Sequence, residues 1–491
     1  VIYSSMNKKI LEKIKELHNQ DKHQKIIEII YSIEEDKRDY EIILLFARAL
    51  NNVQNYDEAL DNLMYIREEG VFDPVWYYRT GYAYYHKNEK DTAKQYFSKA
   101  IELFENYDKK NIENFEDISK NIKNLYSLCF EDNGLSFTQR IKSFWKWFED
   151  NEAEIDNIMK NKNKDIVHFL SDGVKIISDN LAFNIGRNYN FTFNIDGKNY
   201  LFYLTPRIIS DMPEKLKEKW TFMPFIPSSN GVNFTIEIHN KRIETQDVFV
   251  KIEFDDENDK FDLVFYNKDL NDFDKEEAYN IFFLIMENSI GEGLSRVYIR
   301  YADISNRKLN NMLPLVELEK YIKKTLSFHR KKIITNPINQ YLAYTSEPRQ
   351  SDALRYDIIA GTTSYYETVN DYYNENTDDI IEISKCGARA IFLYYTYNYK
   401  NDDESRKEIL NERYEIQERL EKEVLASGDK EADIGIVLGG AMGVYNIYID
   451  LIIYDENEFI KRAKILLAEY ERNFYISKLR KNSDIKNIFD L

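Results

Sequence analysis

The sequence predicts a multidomain chain of class α + (α+β), with N-terminal helical hairpins followed by two α+β domains. Three observations carry this. Two consecutive helical segments share a 34-residue register, which places Ala59 with Ala93, Tyr56 with Lys90, Leu63 with Phe97 and Ile66 with Ala100. From Leu181 the apolar pattern changes from helical spacing to alternation. Beyond Pro348 no proline occurs, and strand-like and helix-like stretches follow one another. At 491 residues the chain exceeds a single core, and about three domains are expected. The segments read as hairpin repeats over 6–108, a helical extension over 109–178, an α+β domain over 179–308, a helical linker over 309–348 and a second α+β domain over 349–491.

In the first segment, Tyr40 to Glu69 aligns with Pro74 to Leu103. Gly81 is the small residue at which two helices of a hairpin touch, Tyr84 fills the groove beside it, and Ala93, Phe97 and Ala100 complete the packing. Ala47, Leu50, Tyr56, Ala59 and Leu63 match in the preceding unit, with Asn55 and Asn88 near the turns. These residues resemble the tetratricopeptide repeat. Residues 8–37 have the same helix-turn-helix character and read as a capping hairpin. The resemblance implies a groove lined by the first helix of each hairpin, suited to a peptide or helix. Its candidate lining residues are Arg48, Asn51 and Asn52 on one unit, and Trp76, Tyr77, Arg79, Thr80, Tyr84 and His86 on the next, some of which must serve the core. A plain bundle with coincidental spacing is the bland alternative.

The helical pattern then continues over 111–128. Phe137, Ile141, Phe144, Trp145 and Phe148 recur at amphipathic spacing, with Trp145 and Trp147 on different faces. The stretches AFNI, NFTFNID and GKNYLFYLT read as strands, and a short helix over Met212 to Lys219 follows. TFMPFIP, NFTIEIH, VFVKIEF, KFDLVFY and VYIRYADI read as further strands, and Glu276 to Asn288 as an apolar helix. Glu287, Glu292 and Asp303 flank a Gly-Glu-Gly turn, which suits acid–base or metal chemistry or, more simply, the end of a helix.

In the last segment ARAIFLYYTYNY reads as a strand, Ser405 to Ser427 as a charged helix, IGIVLGGAMGVYNIYIDLIIYD as a strand pair and Glu456 to Glu471 as a closing helix. This order is that of a ferredoxin-like split unit, with Ala353 to Ile383 supplying a further strand and helix. Gly435, Gly439, Gly440 and Gly443 follow a strand but lead into another strand, and no lysine completes a phosphate loop. Asp450, Asp455 and Arg389 are candidates for pairing across the sheet, and Arg349, Arg355 and Asp357 lie in a candidate binding loop. On this strand order, and on pieces such as LFYLTP and IGE, the middle and last segments resemble bacterial domains grouped near the regulator of ribonuclease E activity B. That group implies binding rather than catalysis, and no functional residue transfers from it.

A net charge of −18 argues against nucleic acid and anionic membranes as partners, and fits solubility or a basic partner. Cys129 and Cys386 form no CxxC pair or disulfide framework, so a reducing cytoplasm is expected. The start, Val1 to Lys9, lacks the apolar core of a signal peptide, and Met6 is a candidate natural initiator. The excess of Asn, Lys, Ile and Tyr matches an AT-rich bacterial genome. No HExxH, HxH, GxSxG or Walker lysine is present, so no catalytic residue, metal ligand or cofactor is assigned. Three functions remain open. The favoured one is a protein-binding adaptor or regulator, which the repeat register and the missing catalytic signatures support. The others are an acidic inhibitor or immunity-type protein that neutralises a basic enzyme, and an enzyme with a site between the α+β domains.

Overall fold

The structure is a computed structural model that describes residues 2–87, 89–105, 115–129, 134–161, 165–238, 241–349, 353–397, 403–426, 433–481 and 483–491. Asn88, residues 111–114, residues 350–352, the end of the ARAIFLYYTYNY stretch and Ser427 lie outside them. Helices come first and sheets later, a mixed α+β layout. The chain divides into two compact units, one of residues 1–134 and 371–387, the other of residues 135–370 and 388–491.

The first unit is helical. Its elements are α1 (Ile2–Asn19), α2 (His23–Tyr31), α3 (Tyr40–Asn52), α4 (Tyr56–Tyr65), the short α5 (Arg67–Gly70), α6 (Pro74–His86), α7 (Lys90–Glu105) and α8 (Phe115–Leu128). The pair α6–α7 begins 34 residues after the pair α3–α4. Local chemistry fixes the starts. Asp39 accepts the backbone N–H of Ile42 at 3.0 Å to cap α3, and Asp73 accepts that of Val75 at 2.8 Å to cap α6, whose first residue is Pro74. Packing then joins the helices. A Cβ added to Gly81 would lie 2.8 Å from the Phe97 ring, so α6 and α7 approach at a distance only glycine permits. Ala47, Ala59, Ala93 and Ala100 are fully buried alongside Leu50 and Leu63. A later helix, α17 (Asp378–Lys385), packs on α8: Lys123 donates to Asp378 at 2.7 Å, and the Lys385 ammonium lies 5.2 Å from the Tyr126 ring centre.

The second unit opens with α9 (Phe137–Lys160), begun by a capping box of Ser136 and Gln139, and α10 (Ile166–Val174). Trp145 is buried and donates to the Ile208 carbonyl at 2.9 Å, whereas Trp147 is half-buried against Gly173 of α10. A three-stranded sheet follows in the order β1 (Ala182–Ile185), β2 (Asn190–Asn194), β3 (Thr221–Met223). The stretch GKNYLFYLT is not a strand. It forms a 3₁₀ turn over Asn199–Tyr203 that runs into α11 (Thr205–Ser210). Tyr200, Leu201, Phe202 and Tyr203 are buried in succession, so the run never alternates, and Pro206 starts a helix where a strand needs an N–H. The short α12 (Glu214–Lys217) follows Pro213.

Next come the antiparallel pair β4 (Thr235–Ile238) and β5 (Lys241–Glu244), and a four-stranded sheet. The latter is built from β6 (Phe249–Asp255), β7 (Lys260–Tyr266), β8 (Ile299–Ile304) and β9 (Leu313–Pro314) in the order β8-β7-β6-β9. The helices α13 (Lys275–Ile290), α14 (Glu292–Tyr298) and α15 (Leu318–Phe328) share its core. VYIRYADI therefore divides, its first part ending α14 and its remainder forming β8.

The largest sheet has seven strands, all antiparallel to their neighbours. They are β10 (Leu342–Thr345), β11 (Ile358–Thr363), β12 (Arg389–Thr396), β13 (Gly435–Gly443), β14 (Asn446–Ile453), β15 (Tyr475–Lys478) and β16 (Lys486–Asn487), in the order β10-β11-β13-β14-β12-β15-β16. α16 (Tyr366–Asn374) follows β11, α18 (Asp403–Arg419) with a π-helical end lies between β12 and β13, and α19 (Glu456–Leu467) lies between β14 and β15. The glycine cluster belongs to β13. A Cβ on Gly439, where φ is +151°, would meet the Thr362 carbonyl of β11 at 2.0 Å.

Candidate functional site

The first helices of the hairpins, α1, α3, α6 and α8, are neighbours in that order, and side-chain interactions link them. Asn51 of α3 donates its amide to the Arg79 carbonyl of α6 at 3.1 Å, and the Arg79 guanidinium donates to the Leu44 carbonyl of α3. Asn121 of α8 donates to the Tyr78 hydroxyl at 2.7 Å. The Asn52 amide lies 3.2 Å from the His23 ring nitrogen Nε2, and the His18 and His23 ring centres are 5.4 Å apart. Tyr82 and His86 approach to 4.4 Å, and Tyr56 stacks on His86 at 5.4 Å.

Polar character on this row is unevenly satisfied. Arg48 and Asn52 are exposed and Arg79 is half-buried. Among the described residues, neither arginine forms an ion pair. Burial, helped by the neighbouring Arg48 charge, pushes the Arg79 guanidinium down to about 10. Burial and then the Arg48 and Arg79 charges hold His18 down at about 3, keeping it neutral. His18 is 4% exposed, and neither ring nitrogen makes a hydrogen bond of ordinary geometry, although the Leu45 carbonyl is near enough to favour its proton slightly. The Asn51 side-chain oxygen is also buried without a partner. Burial likewise pushes the Tyr78 hydroxyl up to about 12, against the opposing charges of Arg79 and Arg48.

The nine sequence candidates divide accordingly. Arg48, Asn51, Asn52, Arg79 and His86 lie on the row just described. Trp76 is 1% exposed and Thr80 fully buried; the Trp76 indole donates to the Leu63 carbonyl at 2.9 Å, and the Thr80 hydroxyl to the Trp76 carbonyl at 2.9 Å. Trp76 thereby ties α6 to α4, and Thr80 bonds within α6. Tyr77 and Tyr84 turn toward α7, with ring centres 6.0 and 5.4 Å from Tyr96. The sequence reading missed Tyr78, Tyr82, His18 and His23. The first two were legible, since Tyr78, Tyr82 and His86 repeat every four residues along one helix face.

Other candidates serve the scaffold. Glu292 is 3% exposed and accepts the backbone N–H groups of Ile195 at 3.1 Å and Ile226 at 2.7 Å. Burial pushes its pKa up even so. Glu287 is raised to about 7 by burial and by the charges of Glu292 and Asp196. Asp303 instead accepts from the Tyr279 and Tyr301 hydroxyls and is lowered by them. Among the described residues no group of three or more His, Cys, Asp or Glu could hold a metal ion.

Asp450 does not pair with Arg389. It receives two hydrogen bonds from the Arg355 guanidinium, one at 3.0 Å, and both partners are 1% exposed. Asp455 caps α19 by accepting from Glu458, and Arg389 lies 3.5 Å from Glu456. Asp357 accepts the N–H groups of Tyr445 and Asn446, each at 3.0 Å, and the Tyr448 hydroxyl at 2.6 Å. The 349–357 loop is thereby bonded into the sheet at Arg355 and Asp357.

No protein-family model, no curated protein and no solved structure matches this chain. Among the described residues, no helix is long and apolar enough to cross a membrane.

Proposed function

We propose that this chain is a non-enzymatic adaptor or regulator that holds a peptide segment of a partner protein along the row formed by α1, α3, α6 and α8. The observation that carries this reading is the row's composition. Exposed Arg48, Asn52 and His86 alternate with half-buried Arg79, Tyr78 and Tyr82, and neither arginine forms an ion pair among the described residues. Aromatic and arginine side chains are the groups that dominate binding energy at protein interfaces. The tetratricopeptide reading is supported by the 34-residue recurrence of helix pairs. A ferredoxin-like reading of the last segment is supported by the run β12-α18-β13-β14-α19-β15, whose strands lie in the order β13-β14-β12-β15. The alternative of an acidic inhibitor has the net charge of −18 in its favour.

Selection of a random peptide display library on the full chain tests the proposal. Enriched peptides that no longer bind a chain carrying Arg48→Ala and His86→Ala are the expected result. Enrichment that is indifferent to both substitutions would move the binding face elsewhere and defeat the proposal.

A further inference from the structure

We propose that the face of the seven-stranded sheet beside α18 binds a small carboxylic acid with a hydrogen-bond donor on the carbon next to its carboxyl group. Such a ligand is an α-amino or α-hydroxy acid, its carboxylate on Arg413 and its donor on Gln417. The first ground is a buried cation with nothing to answer it. Ile409, Arg413, Ile416 and Leu420 share the inner stripe of α18 and its π-helical end, and all four are buried. Arg413 therefore stands where the rest of the stripe is apolar. It is 3% exposed, its Nε and Nη1 are buried without a hydrogen-bond partner, and it forms no ion pair among the described residues. A guanidinium in that setting is costly unless an anion completes it. The adjacent Glu412 is engaged by Arg472, at 2.6 and 2.9 Å. Gln417 stands one turn beyond Arg413, and its side-chain oxygen is also buried without a partner. A Cβ on Gly440 of β13 would lie 2.6 Å from Arg413 Nη1 and 3.4 Å from Gln417 Oε1. Both groups thus converge on one point of the sheet, where the strand carries no side chain.

The second ground is the surface beside that point. Ladder partners share a face of a sheet, so Ala343 of β10, Thr362 of β11 and Gly440 form one row on the α18 face, with Ala360 in the next row. Ala343 and Ala360 are exposed and Thr362 is half-buried, so a ledge of small side chains leads from solvent to the two polar groups. The Tyr341 hydroxyl donates to the Val437 carbonyl of β13 at 3.3 Å, and burial and then the Glu421 charge push its pKa up. That ring and that carboxylate therefore border the same ledge. A carboxylate supplies the charge that Arg413 lacks, and a donor on the adjacent carbon reaches the Gln417 oxygen. The nearby Glu421 charge favours an ammonium as that donor over a hydroxyl. An apolar remainder of the ligand lies over the alanines and the Tyr341 ring. The site is separate from the helical row and does not rest on the peptide-binding reading.

Isothermal titration of the full chain with four matched probes tests this: L-phenylalanine, L-phenyllactate, hydrocinnamate and phenethylamine. L-phenylalanine or L-phenyllactate should bind about tenfold more tightly than hydrocinnamate, which lacks the donor, as the loss of one buried hydrogen bond implies. Phenethylamine, which lacks the carboxylate, should not bind. The tighter of the first two decides between ammonium and hydroxyl. Arg413→Met should abolish binding, and Gln417→Leu should bring both donors' affinities down to that of hydrocinnamate. Binding of none of the four probes, binding of phenethylamine as tight as that of the acids, or binding untouched by Arg413→Met overturns the proposal. Hydrocinnamate binding as tightly as the best probe overturns the role of Gln417. Should Arg413→Met fail to fold, Ala343→Trp carries the test, because that exposed substitution fills the ledge and leaves the guanidinium in place. It should abolish binding, and undiminished affinity in that variant refutes the site.

Discussion

Arg355 in the seven-stranded sheet and the Arg48–Arg79 pair on the helical row are treated in opposite ways. In the seven-stranded sheet, Arg355 is enclosed with Asp450, between the Phe392 and Tyr448 rings at 5.3 and 5.4 Å, and its backbone N–H donates to the Tyr448 hydroxyl at 2.9 Å. On the helical row, Arg48 and Arg79 sit beside each other and beside a buried histidine held neutral. The first arrangement sets the charge against an acid of the same sheet and joins the loop to the strand. The second leaves both charges without an ion pair among the described residues, and the proposed binding role would use that charge. The lesson is that the partner of a charge, more than its depth, separates scaffold from site.

Substitutions can break this contrast, and the largest effect belongs to the closed pair. Asp450→Ala should cost about 3–5 kcal/mol, because it strands a buried guanidinium, and urea unfolding followed by circular dichroism would read the loss. A cost below about 1 kcal/mol would mean that the pair is not enclosed as described. Trp76→Ala should lower the stability of the helical unit by about 3–5 kcal/mol, as expected for a fully buried aromatic. If thermal unfolding is unchanged while peptide binding is lost, Trp76 belongs to the groove after all.

A smaller effect is expected at Glu287, whose carboxyl is raised from 4.5 to about 7. The folded state then holds a proton that the unfolded state has released, so stability falls as pH rises from about 4.5 to about 7. Glu287→Gln should remove about 1–2 kcal/mol of that slope, measured by denaturant titration across the window. An identical slope in the variant would assign it to other groups. Smallest of all, Arg48→Ala should alter stability by no more than about 0.5 kcal/mol, since the side chain is exposed and pairs with no acid among the described residues. A large loss there would make Arg48 part of the scaffold and erase the contrast.

What the sequence disclosed follows the reach of each interaction. The helices α3, α4, α6 and α7 were legible because capping and packing residues repeat at a fixed interval of 34. The strand pair β13–β14 was legible because the residues after the glycines, VYNIYIDLIIYD, alternate and are β-branched or aromatic. Where several aromatic residues are buried in a row, as at Tyr200–Tyr203, a strand pattern and a buried turn share one composition. The pairing of Arg355 with Asp450 joins residues 95 apart in sequence, and nothing in either segment names the other. His18 was overlooked for the same reason. Its setting is made by Arg48 and Arg79 from two other helices, and its own hairpin matches the repeat pattern poorly.

The placement of α17 bears on the order of synthesis. Residues 371–387 complete the helical unit, yet they follow about 235 residues of the other unit in the chain. At roughly 5–20 residues per second, a ribosome that has finished residue 134 needs roughly 12–50 seconds more to deliver α17. During that interval α8 lacks the helix that packs on it in the finished molecule, and the face that helix covers is open to wrong partners. The hairpins, made first, are therefore completed only after most of the other unit has been made.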